Sequence, residues 1–451
     1  MKENKKNIKV GFVSLGCPKN QLDTEVMLRE LYDDGYEIVS EETDADIIVI
    51  NTCAFIESAK KEAIDNIIDV GWLKKNHTLK GIVVTGCLSE RYRDEIFKEL
   101  PEVDAVLGVG SIHSICEAVK EVSEGKKFSR YEDKETVKLG GERIITTPEY
   151  TAYLKISEGC DNRCTYCAIP NIRGSFRSRP MEELIEEARE LSQSGDLKEL
   201  ILIAQDTSRY GEDLYGKYSL AALLKALLEN TDIPWIRMLY LYPDKITDEL
   251  LEVMRSSDRI VKYFDIPVQH ISDPVLKRMN RHGDSKLIRE VLAKIRSEIP
   301  EAVIRTTAIV GFPGETEAQF EELCEFVKTE KFDHFGAFTY SREEDTPAYN
   351  FKDQIDEQIK QDRYDIIMKA QLDINSEKNQ KKLASVLEVL CEGYDPVSET
   401  YFGRSRADAP EIDGKVYFRA KKGSVAPGEF VPVRITEICD YDLIGELENK
   451  H

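Results

Sequence analysis

Three strand-and-helix units follow one another at the start of the chain, and a cysteine lies just after each strand. The strand-like runs are IKVGFVS, ADIIVINT and KGIVVTG, and the cysteines that follow them are Cys17, Cys53 and Cys87. The cysteines are separated by 36 and 34 residues, about the length of one β-α unit. Short β-branched runs that alternate with helices predict a parallel sheet, and open α/β sheets bind ligands at their carboxyl edge. The sequence therefore predicts three thiols at one edge of an amino-terminal α/β domain.

Helical patterns follow each of these strands. They are NQLDTEVMLRELYDDG, IESAKKEAIDNIIDVGWL and SERYRDEIFKEL. In the second helix, four apolar residues at helical spacing predict one apolar face, and they are Ile64, Ile67, Ile68 and Trp72.

The segment before Cys17 also resembles a lipoprotein leader, because a lysine-dotted start precedes a short apolar run. That run, from Ile8 to Leu15, is shorter than most leader cores and is interrupted by a lysine, a glycine and a serine. A helical pattern follows Cys17, whereas a mature lipoprotein usually begins with a flexible tether. We therefore expect Cys17 to be a ligand and not a cleavage site.

Three thiols at equivalent strand ends are open to two interpretations. Free cysteines are commonly buried as small hydrophobic residues. Three of them at one sheet edge favour an iron–sulfur cluster held through three irons, which leaves the fourth iron free of protein. Zinc normally requires a fourth ligand. We therefore predict that Cys17, Cys53 and Cys87 bind an iron–sulfur cluster.

A second trio of cysteines lies in the segment YLKISEGCDNRCTYCAIP. Cys160, Cys164 and Cys167 form a C-x3-C-x2-C loop directly after a predicted strand. A loop this compact allows three sulfurs to hold one cubane. A zinc knuckle is disfavoured, because no Cys or His follows Cys167 before His270. The loop predicts a second cluster whose open iron can chelate the amino and carboxylate groups of a small molecule.

The rest of the central segment predicts a partial barrel of six β-α units. After the strand before Cys160, strand-like runs recur at ELILIAQD, IRMLYLYP, YFDIPVQH, AVIRTTAIVGFPGE and HFGAFTYS. Barrels of this type carry their chemistry at the carboxyl ends of the strands. The polar residues at those ends are Gln205, Asp206, Gln269, His270 and, within the GFPGE turn, Gly311, Gly314 and Glu315.

Some of these residues are open to a structural interpretation as well. His270 is either a substrate contact or a hydrogen-bonded histidine that caps a strand. Gly311 and Gly314 either let the backbone approach a cofactor or form a turn around Pro313. A solvated basic patch is the favoured interpretation of three arginines in NIRGSFRSRP, namely Arg173, Arg177 and Arg179.

Toward the end of the chain the hydrophobic period changes to two, which predicts a small antiparallel barrel. Val431, Val433 and Ile435 alternate with less apolar residues, and the pattern is similar to that of a TRAM domain, an OB-like barrel. Such barrels commonly bind RNA. From Ala384 onward, however, thirteen acidic residues outnumber eight basic ones. We therefore expect no RNA binding and a cationic protein as partner.

Composition limits the cellular setting. A formal net charge of −22 over 451 residues argues against an electrostatic nucleic-acid binder. No apolar stretch approaches the roughly 18 residues that a membrane span requires. Ten cysteines at uneven spacing are too sparse for a disulfide scaffold, which indicates the reducing cytoplasm. The four cysteines outside the two trios are interpreted as packing residues, and they are Cys116, Cys324, Cys391 and Cys439.

Together these patterns predict an α/β fold of three domains. An open parallel-sheet domain covers residues 7–123, and a linker covers 124–145. A partial (β/α)6 barrel of the TIM type covers 146–378, and the small antiparallel barrel covers 379–449.

Two groups of motifs resemble a known family. C-x3-C-x2-C with Tyr166 before its last cysteine is similar to the signature of the radical S-adenosylmethionine (SAM) superfamily. With the strand-end cysteines and the TRAM-like tail, it resembles the methylthiotransferases along nearly the whole chain. The segments that carry the resemblance are SLGCPKNQLDTEVML, NTCAFIESAKKEAID, VTGCLSERY, EGCDNRCTYCAIPNIRGSFRSRP and GRSRADAPEIDG.

The resemblance implies a radical enzyme with two [4Fe-4S] clusters and S-adenosylmethionine. The second trio would hold the cluster that cleaves S-adenosylmethionine, and the first trio an auxiliary cluster that carries the sulfur to be inserted. The GFPGE turn would help to bind the adenosyl group. Gln205 and Asp206 are further expected cofactor contacts, and His270 is a candidate substrate contact.

The resemblance also implies a substrate. The segments around the first two cysteines resemble the branch that modifies an aspartate of small-subunit ribosomal protein S-twelve. Relatives that modify an adenosine of tRNA share the architecture and remain an alternative, and an electron carrier without catalysis is a third hypothesis. An enzyme of this kind would also need an electron donor of the flavodoxin or ferredoxin type and a sulfur donor.

Overall fold

The amino-terminal domain is an open sheet of six parallel strands. The strands are β1 (Lys9–Ser14), β2 (Glu37–Val39), β3 (Ile47–Thr52), β4 (Gly81–Gly86), β5 (Ala105–Leu107) and β6 (Phe128–Arg130). The helices are α1 (Pro18–Asp33), α2 (Glu57–Asn76), α3 (Cys87–Tyr92), α4 (Glu95–Glu99) and α5 (Ile115–Ser123). In the sheet the strands lie in the order β2-β1-β3-β4-β5-β6, which confirms the predicted parallel sheet.

The computed structural model describes residues 8–448, so the predicted domain limits at 7 and 449 lie outside the described residues. The segment interpreted as a linker contains β6, which pairs in parallel with β5. Within residues 8–448, no helix is both long and apolar enough to cross a bilayer.

The two central strands explain why this sheet is a stable platform. β3 and β4 are buried along their whole length. On one face Ile48 packs in a cluster with Val84, and on the other Ile47 packs in a cluster with Val83. Helices cover both faces of the sheet, so apolar residues follow one another in these two strands and do not merely alternate with polar ones.

Two helix predictions in this domain were wrong. SERYRDEIFKEL is not one helix, because the chain breaks between α3 and α4 at Arg93, whose φ is 46°. The predicted apolar face of α2 is buried only at Ile67. Ile64, Ile68 and Trp72 are 37%, 48% and 58% exposed, because α2 packs on the sheet through a neighbouring stripe.

The central domain contains the six predicted parallel barrel strands. They are β7 (Thr151–Lys155), β10 (Glu199–Ile203), β11 (Trp235–Met238), β12 (Tyr263–Asp265), β13 (Val303–Val310) and β14 (His334–Thr339). Short strands β8 (Ser157–Glu158) and β9 (Arg177–Ser178) form a separate antiparallel pair. β7, β10 and β11 form one parallel group and β12, β13 and β14 another, and a parallel bridge between Ile236 and Ile260 joins the two groups.

Helices surround these strands and follow them along the chain. They are α6 (Ile169–Arg173), α7 (Met181–Ser192), α8 (Glu212–Tyr215), α9 (Leu220–Asn230), α10 (Asp248–Ser256), α11 (Asp273–Arg278), α12 (Ser285–Glu298), α13 (Glu317–Glu330) and α14 (Glu357–Gln380). Alternate strand residues serve two cores. Leu200 and Leu202 pack in the cluster shared with the helices, whereas Ile201 and Ile203 pack with Trp235.

The carboxyl-terminal domain is a closed five-stranded barrel. Its strands are β15 (Val386–Asp395), β16 (Thr400–Ser405), β17 (Val416–Arg419), β18 (Phe430–Cys439) and β19 (Asp442–Leu447). They close in the order β15-β16-β17-β19-β18. The predicted alternation is confirmed, because Val431, Val433 and Ile435 are all buried. One pairing differs from the antiparallel prediction, since β17 and β19 run parallel.

This small barrel packs against the central domain through buried ion pairs. Glu199 of β10 accepts hydrogen bonds from Arg404 of β16 and from Arg237 of β11, each at 2.6 Å. Trp235 contacts Phe430 with 4.8 Å between ring centres. The contact is therefore both charged and aromatic, and its ion pairs and Trp235 are fully buried.

Candidate functional site

The first trio lies at the carboxyl ends of β1, β3 and β4, which are neighbours in the sheet. Cys53 and Cys87 directly follow their strands and are buried, and Cys17 is half-buried. Gly16 approaches Cys53 so closely that a Cβ at position 16 would lie 2.6 Å from Cys53 Cβ. The φ of Gly16, +88°, is also one that L side chains rarely adopt. The three cysteines thus share one sheet edge, with a glycine that makes room for the second of them.

Asn20 ties these strand ends together. Its amide donates to Leu15 O at 3.0 Å and to Thr52 O at 2.9 Å, and its Oδ1 lies 3.7 Å from Cys87 Sγ. Asn51 donates to Asn20 O at 2.7 Å. One buried amide therefore fixes the ends of three strands relative to one another. The sequence pattern did not single out Asn20, whose only signal is a polar residue in the first turn of α1.

The second trio lies in the loop between β8 and α6. Cys160 and Cys164 are buried and Cys167 is half-buried. Gly159 enters the loop with a φ of +79°, and a Cβ there would lie 1.9 Å from Ser175 O. Only glycine fits before the first cysteine, so the loop closes tightly against the segment that follows α6.

Two polar side chains contact sulfurs of this loop. Asn162 Nδ2 donates to Cys160 Sγ at 3.4 Å. Arg281 Nη1 donates to Cys164 Sγ at 3.8 Å, and its guanidinium stacks 4.4 Å from the centre of the Tyr242 ring. Donors at these positions favour a negatively charged sulfur.

Arg173 connects the two trios. It lies on α6, which follows the second trio, but its Nη2 donates to Cys87 Sγ of the first trio at 3.5 Å. Its Nη1 lies 2.6 Å from Asp23 Oδ2 and 3.4 Å from Glu158 Oε2. The solvated patch predicted from the sequence is wrong for Arg173 and Arg179, which are 2% and 4% exposed. Paired carboxylates make the burial of Arg173 tolerable, because a buried charge needs a partner.

A charged network extends from Arg173 along the boundary between the first two domains. Lys155 Nζ lies 2.6 Å from Asp23 Oδ1 and 3.0 Å from Glu158 Oε2. Gln205 donates to Glu158. Burial acts to raise the pKa of Glu158, but Lys155 and Arg173 outweigh it and lower that pKa to about 2. The network therefore stays ionised and joins α1 to β7 and β8.

Arg177, the third residue of that predicted patch, is half-buried and donates to backbone carbonyls. Its partners are Val137 O, at 3.0 Å, and Lys134 O. The patch as a whole is therefore not solvated. Each of its arginines holds a neighbouring segment of the chain.

Three cysteine sulfurs suit an iron–sulfur cluster, whereas a zinc ion normally takes four ligands. Within residues 8–448, no three His, Cys, Asp or Glu side chains are close enough to share one metal ion. Thiolates of a cubane bind three different irons and therefore stand farther apart than the ligands of one ion. Burial raises the pKa of Cys160 to about 11, and burial followed by neighbouring Cys87 raises that of Cys53 to about 12. Metal binding must therefore displace protons from these thiols.

The strand-end residues predicted to contact the cofactor lie beside the second trio. Asp206 is fully buried and accepts hydrogen bonds from Asn162 at 2.9 Å and Ser208 at 2.7 Å, with Lys245 Nζ at 3.1 Å. Gln205 Oε1 is buried and has no hydrogen-bond partner among the described residues. Asp206 thus positions the cysteine loop through Asn162, and Gln205 keeps a free acceptor.

Side chains from helices α11 and α14 pack against the GFPGE turn. A Cβ on Gly311 would lie 2.3 Å from Lys360, and one on Gly314 would lie 2.2 Å from Arg278. Glu315 accepts from Phe312 N at 3.1 Å and pairs with an arginine of α14. Both glycines therefore serve the turn, and a contact of this turn with the cofactor stays a prediction.

His270 is fully buried in the central domain. Its Nδ1 accepts a hydrogen bond from Ser272 N at 2.9 Å, and its Nε2 lies 4.0 Å from Glu315 Oε2. This position favours the interpretation of His270 as a hydrogen-bonded structural histidine, and substrate contact stays a prediction. Gln269 precedes it with a φ of 69°, which marks a sharp turn at the end of the strand segment.

Lys19 links the helix that follows Cys17 to the end of a barrel strand. Its Nζ lies 3.3 Å from Ala204 O and 3.7 Å from the centre of the Tyr240 ring. Lys19 is in the first turn of α1, two residues after Cys17, and Ala204 directly precedes Gln205. The carboxyl ends of the sheet and of the barrel therefore face each other.

Three family profiles match the chain in the order of its three domains. Residues 9–108 match a family described as uncharacterized protein family UPF0004. Residues 154–327 match the radical SAM superfamily, and residues 385–447 match the TRAM domain. The matches to the second and third profiles confirm the superfamily and the carboxyl-terminal module that the sequence predicted.

Curated relatives match nearly the whole chain. The ribosomal protein uS12 methylthiotransferase RimO of Thermoanaerobacter sp. (strain X514) is 51% identical over 97% of this chain and 99% of its own. The proteins of the same name from Caldanaerobacter subterraneus subsp. tengcongensis and Geobacter sulfurreducens are 52% and 47% identical, each over 97% of this chain. They are covered over 99% and 98% of their own lengths.

Solved structures share the fold at low sequence identity. The radical S-adenosylmethionine methyltransferase TsrM from Kitasatospora setae, with cobalamin and a [4Fe-4S] cluster bound, matches with a TM-score of 0.56 and 13% identity. The match covers 76% of this chain and 73% of TsrM. On the identity to its curated relatives, the chain belongs to the RimO family of radical SAM methylthiotransferases, enzymes that use an iron–sulfur cluster and S-adenosylmethionine.

Proposed function

We propose that this enzyme attaches a methylthio group to the β-carbon of an aspartate in small-subunit ribosomal protein S-twelve. Two [4Fe-4S] clusters and two molecules of S-adenosylmethionine would serve each turnover. The observation that carries the proposal is the pair of separate cysteine trios, with Arg173 reaching from the helix after the second trio to a sulfur of the first. Curated relatives at about half identity bear the name of this activity.

The chemistry that the clusters supply when bound is the reductive cleavage of S-adenosylmethionine and the delivery of sulfur. Bound S-adenosylmethionine would supply both the methyl group and the radical chemistry that an unactivated carbon requires. General acid–base catalysis does not suffice for such a C–H bond. The protein's part is therefore to hold the clusters, position the substrate carbon and exclude water and oxygen.

The second trio would hold the cluster that cleaves S-adenosylmethionine. Its three cysteines leave one iron for the amino and carboxylate groups of the cofactor. Asn162 and Asp206 fix the first cysteine of the loop. Gln205 offers the cofactor a buried acceptor. Gly311, Gly314 and Glu315 are the proposed adenosyl-side contacts.

The first trio would hold the auxiliary cluster. Asn20 keeps the three strand ends in place. Lys19 reaches from the same helix to the strand end of the barrel at Ala204. These contacts support a substrate site between the two trios, at the carboxyl ends of both sets of strands.

Charge supports a basic protein substrate. The chain has a net charge of −22, and its carboxyl-terminal barrel is acidic as well. An anionic surface attracts a cationic ribosomal protein and repels a phosphate backbone.

We assign residues 7–123 to the auxiliary-cluster domain, 124–145 to a linker, 146–378 to the radical SAM core and 379–449 to the TRAM domain. The enzyme would act in the cytoplasm with a flavodoxin or ferredoxin as electron donor and a separate sulfur donor.

Anaerobic reconstitution followed by incubation with S-adenosylmethionine and a peptide of the ribosomal protein tests the proposal. Mass spectrometry should show the gain of one methylthio group on aspartate. The matched control is a peptide with asparagine in place of that aspartate, which should stay unmodified. Cleavage of S-adenosylmethionine without any change in the aspartate peptide would contradict the proposed substrate.

Two alternatives predict different products. A tRNA methylthiotransferase would modify an adenosine in tRNA, so nucleoside analysis of tRNA from the same reaction separates the two substrates. An electron carrier would form no 5′-deoxyadenosine after reduction. A six-stranded barrel with a buried cysteine loop is hard to explain in a carrier alone.

A further inference from the structure

Each cysteine trio has one arginine that donates to one of its sulfurs. Arg173 Nη2 lies 3.5 Å from Cys87 Sγ in the first trio, and Arg281 Nη1 lies 3.8 Å from Cys164 Sγ in the second. Resting on the two-cluster function proposed above, we infer that Arg173 and Arg281 are positioning residues that set the reduction potentials of the two clusters separately.

The physical reason is the charge that reduction adds. A thiolate-bound cluster becomes more negative when it takes up one electron, so a nearby cation or an N–H donor stabilises the reduced form. Hydrogen bonds to the sulfurs are among the factors that set the potentials of such clusters. The loss of either arginine should therefore lower the potential of its own cluster.

The surroundings of Arg173 fix its donor in place. Its side chain is 2% exposed, and Nη1 is held by Asp23 at 2.6 Å and by Glu158 at 3.4 Å. Nη2 is left to donate to Asn20 Oδ1 and to Cys87 Sγ. Since two carboxylates compensate its charge and that of Lys155, Arg173 acts on the first trio mainly through the directed N–H bond.

The surroundings of Arg281 are different. Nη2 donates to Pro267 O at 2.7 Å, and the guanidinium stacks on Tyr242. No carboxylate within residues 8–448 forms an ion pair with Arg281, so its positive charge is not compensated at close range. The charge itself therefore adds to the N–H bond at Cys164, and we expect the larger shift at the second trio.

The experiment is a potentiometric titration of the anaerobically reconstituted full chain, with dithionite as reductant and electron paramagnetic resonance as readout. Arg173→Gln should lower the midpoint potential of the auxiliary cluster and leave that of the SAM-cleaving cluster unchanged. Arg281→Gln should lower the midpoint potential of the SAM-cleaving cluster, by a larger amount, and leave that of the auxiliary cluster unchanged. Each variant is thus the matched control of the other.

Conservative variants guard against a loss of folding. Arg173→Lys and Arg281→Lys keep the charge but lack the planar fork of donors. Because charge dominates at Arg281, Arg281→Lys should keep the potential of the SAM-cleaving cluster close to that of the parent chain. Arg173→Lys should leave the auxiliary cluster almost as low in potential as Arg173→Gln does. Asp23→Asn removes a negative charge beside Arg173 and should raise the auxiliary potential, opposite to Arg173→Gln. Damaged packing alone would not reverse the sign.

The inference is overturned if either arginine variant leaves both potentials unchanged, or if each variant shifts both clusters alike. A failure of the proposed function has another signature, in which the unmodified chain shows the signal of only one cluster. In that event Arg281→Gln on the remaining cluster still decides the part of the inference that concerns the second trio.

Discussion

Lys155 Nζ of β7 lies 2.6 Å from Asp23 Oδ1 of α1, and both side chains are buried at the boundary of two domains. Removing one partner of a buried ion pair leaves an uncompensated charge, which costs about 3–5 kcal/mol. Lys155→Met should therefore lower the free energy of unfolding of the metal-free chain by about that amount. Urea unfolding followed by circular dichroism measures it.

The matched control is Arg29→Met on the same helix. Arg29 pairs with Asp33, but the two side chains are 37% and 53% exposed. An exposed pair contributes about 0–1 kcal/mol, so this variant should unfold almost like the parent chain. Equal destabilisation by the two variants would contradict the argument that burial makes the loss of a partner in the Asp23 network costly.

Gly16 tests how closely the first trio is packed. Gly16→Ala should cost about 1–2 kcal/mol for its left-handed backbone. It should also displace Cys53, because the new Cβ would lie 2.6 Å from Cys53 Cβ. We expect the reconstituted variant to lose the auxiliary cluster while the other cluster is retained, as measured by iron content and Mössbauer spectroscopy.

Gly35→Ala is the control, because Gly35 has a similar φ of +91° but a Cβ added there would meet no atom within 4 Å. It should show the backbone cost alone and keep both clusters. Loss of the auxiliary cluster in the Gly35 variant, or its retention in the Gly16 variant, would refute the packing argument.

His270 gives the stability of the chain a defined pH dependence. Burial, and next Arg363, lower the pKa of His270 from 6.5 to about 3. Between these values the unfolded chain binds a proton at His270 and the folded chain does not, so stability falls as the pH falls from 6.5 to 3. His270→Asn should reduce the slope of unfolding free energy against pH by up to about 1.4 kcal/mol per unit.

Glu315, 4.0 Å from His270, acts in the opposite direction. Burial outweighs Arg363 and raises the pKa of Glu315 from 4.5 to about 7, so the folded chain holds the proton and stability falls as the pH rises through this range. Glu315→Gln should therefore make the slope steeper. Equal slopes in the parent chain, in His270→Asn and in Glu315→Gln would disprove the burial argument.

The docking of the carboxyl-terminal barrel depends on Arg404. This side chain is 1% exposed and donates to Glu199 of the central domain and to Glu392 of its own barrel, each at 2.6 Å. Arg404→Met should increase hydrogen exchange across β15 and β16, because the buried carboxylate of Glu199 then lacks one of its two partners. The control is Arg434→Met, whose pair with Glu448 is 46% and 31% exposed. Unchanged exchange in the Arg404 variant would show that the apolar contacts alone hold the barrel.

The strands, the three strand-end cysteines and the cysteine loop could be predicted from the sequence because their signals are local. β-branched runs such as IIVINT and GIVVTG give the parallel sheet, and the cysteines follow them directly. The period of two around Val433 gives the small barrel in the same way. Local patterns of this kind do not depend on the rest of the chain.

The connection between the trios could not be predicted, because it joins distant segments. Arg173 and Asp23 are 150 residues apart in the chain. Three arginines close together in NIRGSFRSRP indicate a solvated surface patch when only the local sequence is considered. The predicted burial of Ile68 and Trp72 was wrong for a related reason. An apolar residue on a helix is buried only where another element covers it, and no element within residues 8–448 covers these two.

We propose that two separate trios of cysteines each hold one cluster, and the iron content of anoxic protein is the direct test. The parent chain and a Cys116→Ala, Cys439→Ala control should each bind about eight irons. The triple variant Cys17→Ala, Cys53→Ala, Cys87→Ala should bind about four and still cleave S-adenosylmethionine. A triple variant that keeps its full iron content would contradict the account.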